Sequence, residues 1–125
     1  MTKGSSMGQP PDDRNRAETP VRDRRYSTRF LFAAQAELLD MKTGVRTTGV
    51  TSDISLGGCF VQSSRPLPLR TRVRLTLRHK AEQMGVLATV CTLKPSIGMG
   101  LEFLDVEGAS YTTLLNWLEQ LRRVR

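Results

Sequence analysis

Thr71-Arg-Val-Arg-Leu-Thr-Leu-Arg78 decides the fold class, because apolar and polar residues alternate along its whole length. In an extended chain Val73, Leu75 and Leu77 point to one side, and the residues between them point to the other. A strand with one apolar and one polar face is typical of an antiparallel sheet that covers a core and exposes its other face. The segment therefore predicts antiparallel β structure.

Five more segments with short alternating or β-branched runs predict strands on either side of this one. They are Phe30–Leu39, Val45–Ser52, Cys59–Gln62, Gly85–Leu93 and Ile97–Phe103. The sequences between them concentrate glycine, proline and polar residues, which is typical of turns and loops. These connections are Asp40–Gly44, Asp53–Gly58, Arg65–Pro68, His79–Met84 and Lys94–Pro95.

Near the carboxyl terminus the period changes to that of a helix. Apolar residues recur there at intervals of three and four, at Tyr111, Leu114, Leu118 and Leu121. We expect a helix over about residues 110–124, with Ser110 as its N-cap. Six short strands and one helix predict a mainly β fold, a small six-stranded antiparallel barrel with a C-terminal α-helix.

The chain has 125 residues, which is the size of one compact domain. Residues 1–23 hold few apolar side chains among glycines, prolines and charges, so we expect a disordered N-terminal tail. Residues 24–125 are expected to form the barrel domain. The sequence shows neither a run of ~20 apolar residues nor the apolar centre of a signal peptide, which predicts a cytoplasmic protein without a membrane span.

Charge and residue counts limit the classes of function. Nineteen Lys and Arg against twelve Asp and Glu give a net charge of +7, which favours an anionic partner such as a nucleotide or a nucleic acid. One histidine and two cysteines exclude a four-ligand zinc framework of the common kind and a disulfide-dense scaffold. Without a recognisable nucleophile–base pair, catalytic carboxylate pair or P-loop, we expect no enzyme activity, metal or cofactor.

Two polar clusters carry the chemistry of a ligand site. Asp23–Arg29 precedes the first predicted strand and holds three arginines, and Asp53–Gly58 follows the second strand. Arginine donates paired hydrogen bonds to phosphate or to O6 and N7 of guanine, and aspartate accepts from the N–H groups on guanine's other edge. If the first two strands form a hairpin, both clusters lie at the same end of it.

These residues also resemble a known family. Arg25-x-x-x-Arg29 followed by Asp53-x-Ser55-x-x-Gly58 is similar to the paired motifs of the PilZ domain, a bacterial receptor module for cyclic di-GMP. The resemblance implies that Arg25 and Arg29 bind phosphates and guanine edges, that Asp53 and Ser55 contact a guanine base, and that Gly58 keeps the turn open.

The resemblance covers the chain from Arg24 to its C-terminus, and Ile97–Phe103 looks like the family's final barrel strand. Arg24 itself, directly before the first motif, looks like the cation of members that bind a stacked pair of ligand molecules. The implied function is a cyclic di-GMP receptor or effector module that acts on an unidentified protein partner, in motility, surface attachment or biofilm formation. We expect ligand binding to order the RxxxR segment onto the barrel, and we expect a monomer or weak dimer.

Two alternatives come from the same residues. The arginine face of Arg72, Arg74 and Arg78 fits a basic barrel that binds single-stranded nucleic acid, although such proteins usually stack bases on surface aromatics, and aromatics are only 6% here. The other alternative is a degenerate PilZ-like protein-interaction scaffold. Cys59 and Cys91 are interpreted as small core or strand residues.

Overall fold

The computed structural model describes residues 28–124. The predicted tail, Arg24 and Arg25 lie outside the described residues. Seven strands and one helix follow in chain order: β1 Phe30–Leu31, β2 Gln35–Asp40, β3 Arg46–Ile54, β4 Gly58–Gln62, β5 Arg72–His79, β6 Glu82–Lys94, β7 Gly98–Asp105 and α1 Gly108–Val124.

The strands form a closed antiparallel barrel. Their order around the sheet is β1-β3-β2-β5-β6-β7-β4, and a further pairing of β3 with β4 joins the two sides of the sheet. Because β1 and β2 both pair with β3, they are two pieces of the single first strand that the sequence predicts. Counted in this way the barrel has six strands, and with its C-terminal helix it confirms the predicted fold class.

The first strand is interrupted between β1 and β2, because the side chain of Thr51 in β3 takes the place of a backbone partner there. The Thr51 hydroxyl donates to the carbonyl oxygen of Phe32 and accepts from the amide of Ala34 at 2.8 Å. The backbone N–H of Thr51 donates to the Ala34 carbonyl oxygen at 2.9 Å. Only 2% of Thr51 is exposed, so these bonds satisfy polar groups that water does not reach.

The core lies inside the barrel and under the helix. Val73, Leu75 and Leu77 are buried, as the alternation in β5 predicts, and the arginines of its other face, Arg72, Arg74 and Arg78, are exposed. Helix α1 buries Leu114 and Trp117. The Trp117 ring lies 5.1 Å from the Phe32 ring, centroid to centroid, and its Nε1–H donates to Glu82 Oε1 at 2.8 Å.

Two local predictions are wrong. The predicted loop His79–Met84 is a two-residue turn at positions 80–81, where Lys80 takes a φ of 57°, a conformation that usually favours glycine. Helix α1 begins at Gly108 rather than at Ser110, because the Glu107 carbonyl oxygen already accepts from Ser110 N at 2.9 Å. The Ser110 hydroxyl instead accepts from the amide of Gly85 in β6 at 2.9 Å.

We predict that Thr51→Val lowers the free energy of unfolding by about 2 kcal/mol, because it leaves the Phe32 carbonyl and the Ala34 amide buried without a partner. Thr48→Val is the matched control, since Thr48 is exposed on the same strand. Urea denaturation followed by Trp117 fluorescence measures both variants. Equal stability of the two variants would contradict the role given to the Thr51 hydroxyl.

The two cysteines should differ in reactivity. Burial raises the pKa of the Cys59 thiol to about 12, so almost no thiolate forms at neutral pH, whereas Cys91 is exposed. A chromogenic disulfide reagent should therefore modify one thiol in the folded protein and two after unfolding, and Cys91→Ser should abolish the reaction of the folded protein. Rapid modification of Cys59 in folded Cys91→Ser would be incompatible with this barrel.

Candidate ligand-binding site

Strand pairing brings the second arginine of the RxxxR motif to the DxSxxG motif. In the antiparallel pair of β1 and β3, Phe30 lies opposite Ile54 and Leu31 lies opposite Asp53. Arg29 directly precedes β1, so it lies beside the end of β3 where the turn to β4 begins. Arg29 and the DxSxxG motif, which are separated in the sequence by the β2–β3 hairpin, therefore lie at the same end of the barrel.

Arg29 and Asp53 form an ion pair at this end. Asp53 Oδ1 accepts from Arg29 Nε at 2.9 Å and lies 2.8 Å from Arg29 Nη2. The Arg29 side chain is 49% exposed and the Asp53 side chain 27%, so the pair itself adds only ~0–1 kcal/mol to stability. Because a guanidinium carries five N–H donors, Arg29 retains donors for an anionic or guanine-like ligand.

A β-bulge and a neighbouring hydroxyl orient the Asp53 carboxylate. The register between β3 and β4 shifts between Thr51 and Asp53, so Ser52 is the extra residue, and such a bulge re-aims the side chains beside it. The Ser52 hydroxyl donates to Asp53 Oδ2 at 3.2 Å. The sequence does not indicate Ser52 as a site residue, because a serine inside a β-branched run carries no signal for a bulge.

Ser55 builds the turn between β3 and β4. Its hydroxyl accepts from Gly57 N at 3.2 Å and donates to the Gly58 carbonyl oxygen at 3.3 Å. Only 3% of Ser55 is exposed. These bonds are those of a serine-stabilised turn, and the predicted contact of Ser55 with a guanine base stays a prediction.

Position 58 requires a residue without a side chain, because strand β7 approaches it closely. A Cβ on Gly58 would lie 2.1 Å from the Leu101 carbonyl oxygen. That oxygen is a backbone atom, so it could move away only if the β4–β7 pairing opened. The amide of Phe103 donates to the Gly57 carbonyl oxygen at 2.8 Å, so the turn is also fixed to β7. The glycine therefore holds the turn beside Asp53 at a constant position against the barrel.

Apolar side chains flank the Asp53 carboxylate on the outer face of the sheet. Leu31 and Phe60 are its neighbours on β1 and β4. Leu31 is 87% exposed, and the Phe60 ring has Lys94 Nζ 5.4 Å from its centroid. An exposed aliphatic group, an aromatic ring and a cation beside an ion pair suit a planar, negatively charged ligand. The sequence alone does not indicate these three residues as site residues, because their proximity depends on strand pairing.

The part of the chain that the structure describes contains no group of three His, Cys, Asp or Glu side chains placed to hold a metal ion. None of the helices within residues 28–124 has the length and apolar character needed to cross a membrane.

Comparison with solved structures places the barrel among known folds. The PilZ domain of CeSA from a cellulose-synthesizing bacterium has 22% identity and a TM-score of 0.61, over 76% of this chain and 98% of that one. The Bacillus subtilis inhibitor of motility MotI/DgrA has 19% identity and a TM-score of 0.65, over 84% of this chain and 55% of that one. The PilZ domain with c-di-GMP of YcgR from Escherichia coli has 13% identity and a TM-score of 0.63, over 78% of this chain and 90% of that one.

No curated protein sequence matches the chain. The family model of the PilZ domain matches residues 23–120, a range that includes both motifs, every strand of the barrel and most of α1. With both the sequence match and the barrel in agreement, the chain belongs to the PilZ domain family.

Proposed function

We propose that this chain is a non-catalytic, cytoplasmic receptor module that binds cyclic di-GMP at the Arg29–Asp53 end of the barrel. The observation that carries the proposal is the direct contact of Arg29 with Asp53, one residue from each motif. A structural neighbour, the PilZ domain of YcgR, is described with c-di-GMP, which supports the choice of ligand.

The chemistry of the pair suits guanine. The remaining donors of Arg29 match the O6 and N7 acceptors of guanine, and Asp53 accepts from the N–H groups on the base's Watson–Crick edge. Leu31 and Phe60 offer apolar surface to the faces of the base. Ser55 and Gly58 keep the turn that carries Asp53 in place, and we assign Ser55 a contact with the base only in the bound state.

Arg24 and Arg25 complete the proposed site. Both lie within five residues of Arg29 in the sequence. We assign them to the phosphates, because a guanidinium donates two parallel hydrogen bonds to phosphate oxygens. Arg24 adds a cation that favours a second, stacked ligand molecule.

The bound ligand is proposed to order the segment before β1 and thereby change the surface that a partner protein meets. The partner is a protein of the motility, surface-attachment or biofilm machinery, in keeping with the neighbours concerned with motility and cellulose synthesis.

Arg29→Ala should weaken cyclic di-GMP binding at least about tenfold, because a lost charge-assisted hydrogen bond costs roughly 1.5–3 kcal/mol. Calorimetric titration of the full chain measures the affinity and the number of ligands bound. Arg74→Ala is the matched control, since Arg74 is an exposed arginine on the outer face of β5. The proposal fails if the wild type does not bind, if both variants lose affinity equally, or if a polynucleotide displaces the dinucleotide.

Amide hydrogen exchange should slow over residues 20–30 when cyclic di-GMP is added, because ordering a segment protects its amides. Mass-spectrometric measurement with and without ligand tests this, and peptides from α1 serve as the internal reference. Ligand binding with unchanged exchange over residues 20–30 would rule out the ordering mechanism while leaving the binding site intact.

A further inference from the structure

The barrel has a second concave surface, at the end opposite the Arg29–Asp53 pair. Residues 40–42 of the β2–β3 turn and residues 69–72 before β5 line a cavity of about 440 Å³, here called the basic groove. Met41 N donates to the Arg72 carbonyl oxygen at 2.9 Å, which fixes the two walls relative to each other. The turn of the β2–β3 hairpin lies at this groove, and the other end of the hairpin lies at Asp53. The length of the strands therefore separates the two surfaces by up to ~30 Å.

Large aliphatic side chains are exposed in the basic groove. Met41 is 50% exposed and Leu69 is 53% exposed. Both belong to short connecting segments whose other residues are mostly polar. Because both line the same concave surface, they offer apolar contact area to an apolar side chain that enters it.

The charge of the basic groove is positive. Lys42, Arg70 and Arg72 line it, and neither arginine forms a salt bridge with a carboxylate among residues 28–124. Asp40 is the acidic residue of the lining, and its carboxylate accepts from the backbone amides of Lys42 at 2.8 Å and Thr43 at 3.3 Å. The carboxylate also attracts Lys42, so the lining holds three cations against one acid and keeps a positive charge, with Arg70 and Arg72 as its unpaired cations among residues 28–124.

Arg70 holds a strained backbone conformation. Its φ is 71°, in the left-handed region that costs a residue with a Cβ ~1 kcal/mol or more. Arg70 N donates to the Val90 carbonyl oxygen at 2.8 Å, and Val90 N donates to the Thr71 carbonyl oxygen at 3.0 Å. Strain of this kind persists where the surrounding structure enforces it and is common at binding sites. At this position glycine would be free of the strain, but arginine supplies a guanidinium to the lining of the groove.

We propose that the basic groove binds an acidic segment of a partner protein that carries one large aliphatic residue among its carboxylates. The aliphatic residue packs between Met41 and Leu69, and the carboxylates pair with Lys42, Arg70 and Arg72. A polynucleotide fits less well, because it would need aromatic side chains for base stacking and no aromatic residue is among those that line the groove. Since the groove and the Arg29–Asp53 pair lie at opposite ends, this inference does not depend on nucleotide binding.

The test uses the full chain without cyclic di-GMP and a short fluorescein-labelled peptide with one leucine among glutamates. Fluorescence anisotropy should show saturable binding, and the same peptide with glycine for leucine should bind several-fold more weakly. Arg72→Glu should weaken binding about tenfold, because it replaces an attractive charge by a repulsive one. Lys80→Glu, the same charge change at the other end of β5, should leave the affinity within about twofold of wild type.

Arg70→Gly separates binding from folding. It should weaken peptide binding while leaving the thermal midpoint of unfolding unchanged or higher, because glycine relieves the positive φ. The inference is overturned if the glycine peptide binds as well as the leucine peptide, if Lys80→Glu weakens binding as much as Arg72→Glu, or if an oligonucleotide of equal charge displaces the peptide at the same concentration.

Discussion

The pairing of β3 with β4 is the contact on which the rest of the molecule depends. Strand β3 pairs with β1, β2 and β4, so it joins the interrupted first strand to the closing edge of the barrel. A sheet edge exposes unpaired amides and carbonyls, and closure removes it. The bulge at Ser52 lies in this same pairing, and it sets the direction of Asp53. Barrel closure and site geometry therefore share one segment of backbone.

The stability of the site comes from its surroundings rather than from its charges. Ile54, directly after Asp53, is fully buried, and Gly58 lies against the Leu101 carbonyl without room for a side chain. The exposed Arg29–Asp53 pair contributes little by comparison. A ligand can thus change the contacts of both side chains without a large loss of folding free energy.

Sequence patterns predicted the parts of the fold in which one physical cause dominates. The alternation in β5 arises because one face of the strand is buried. The 3.6-residue period near the C-terminus arises because one face of α1 packs on the barrel. The tight turn at Lys80 was missed because its positive φ is enforced by strand pairing, not by glycine. A hairpin of the first two strands predicted that the clusters holding Arg29 and Asp53 lie at the same end, but the ion pair itself and the support from Ser52, Thr51 and the flanking Leu31 depend on register, which no local pattern encodes. The roles of Arg24 and Arg25 stay predictions.

The proposed site requires that Arg29 and Asp53 act as one unit on cyclic di-GMP. A double-mutant cycle of Arg29→Ala and Asp53→Asn, with affinities from calorimetric titration, measures this directly. If the two residues act together, the double variant should lose less binding free energy than the sum of the single losses, with a coupling of about 1 kcal/mol. Losses that add to within ~0.3 kcal/mol would show that the two residues act independently and would contradict a shared site.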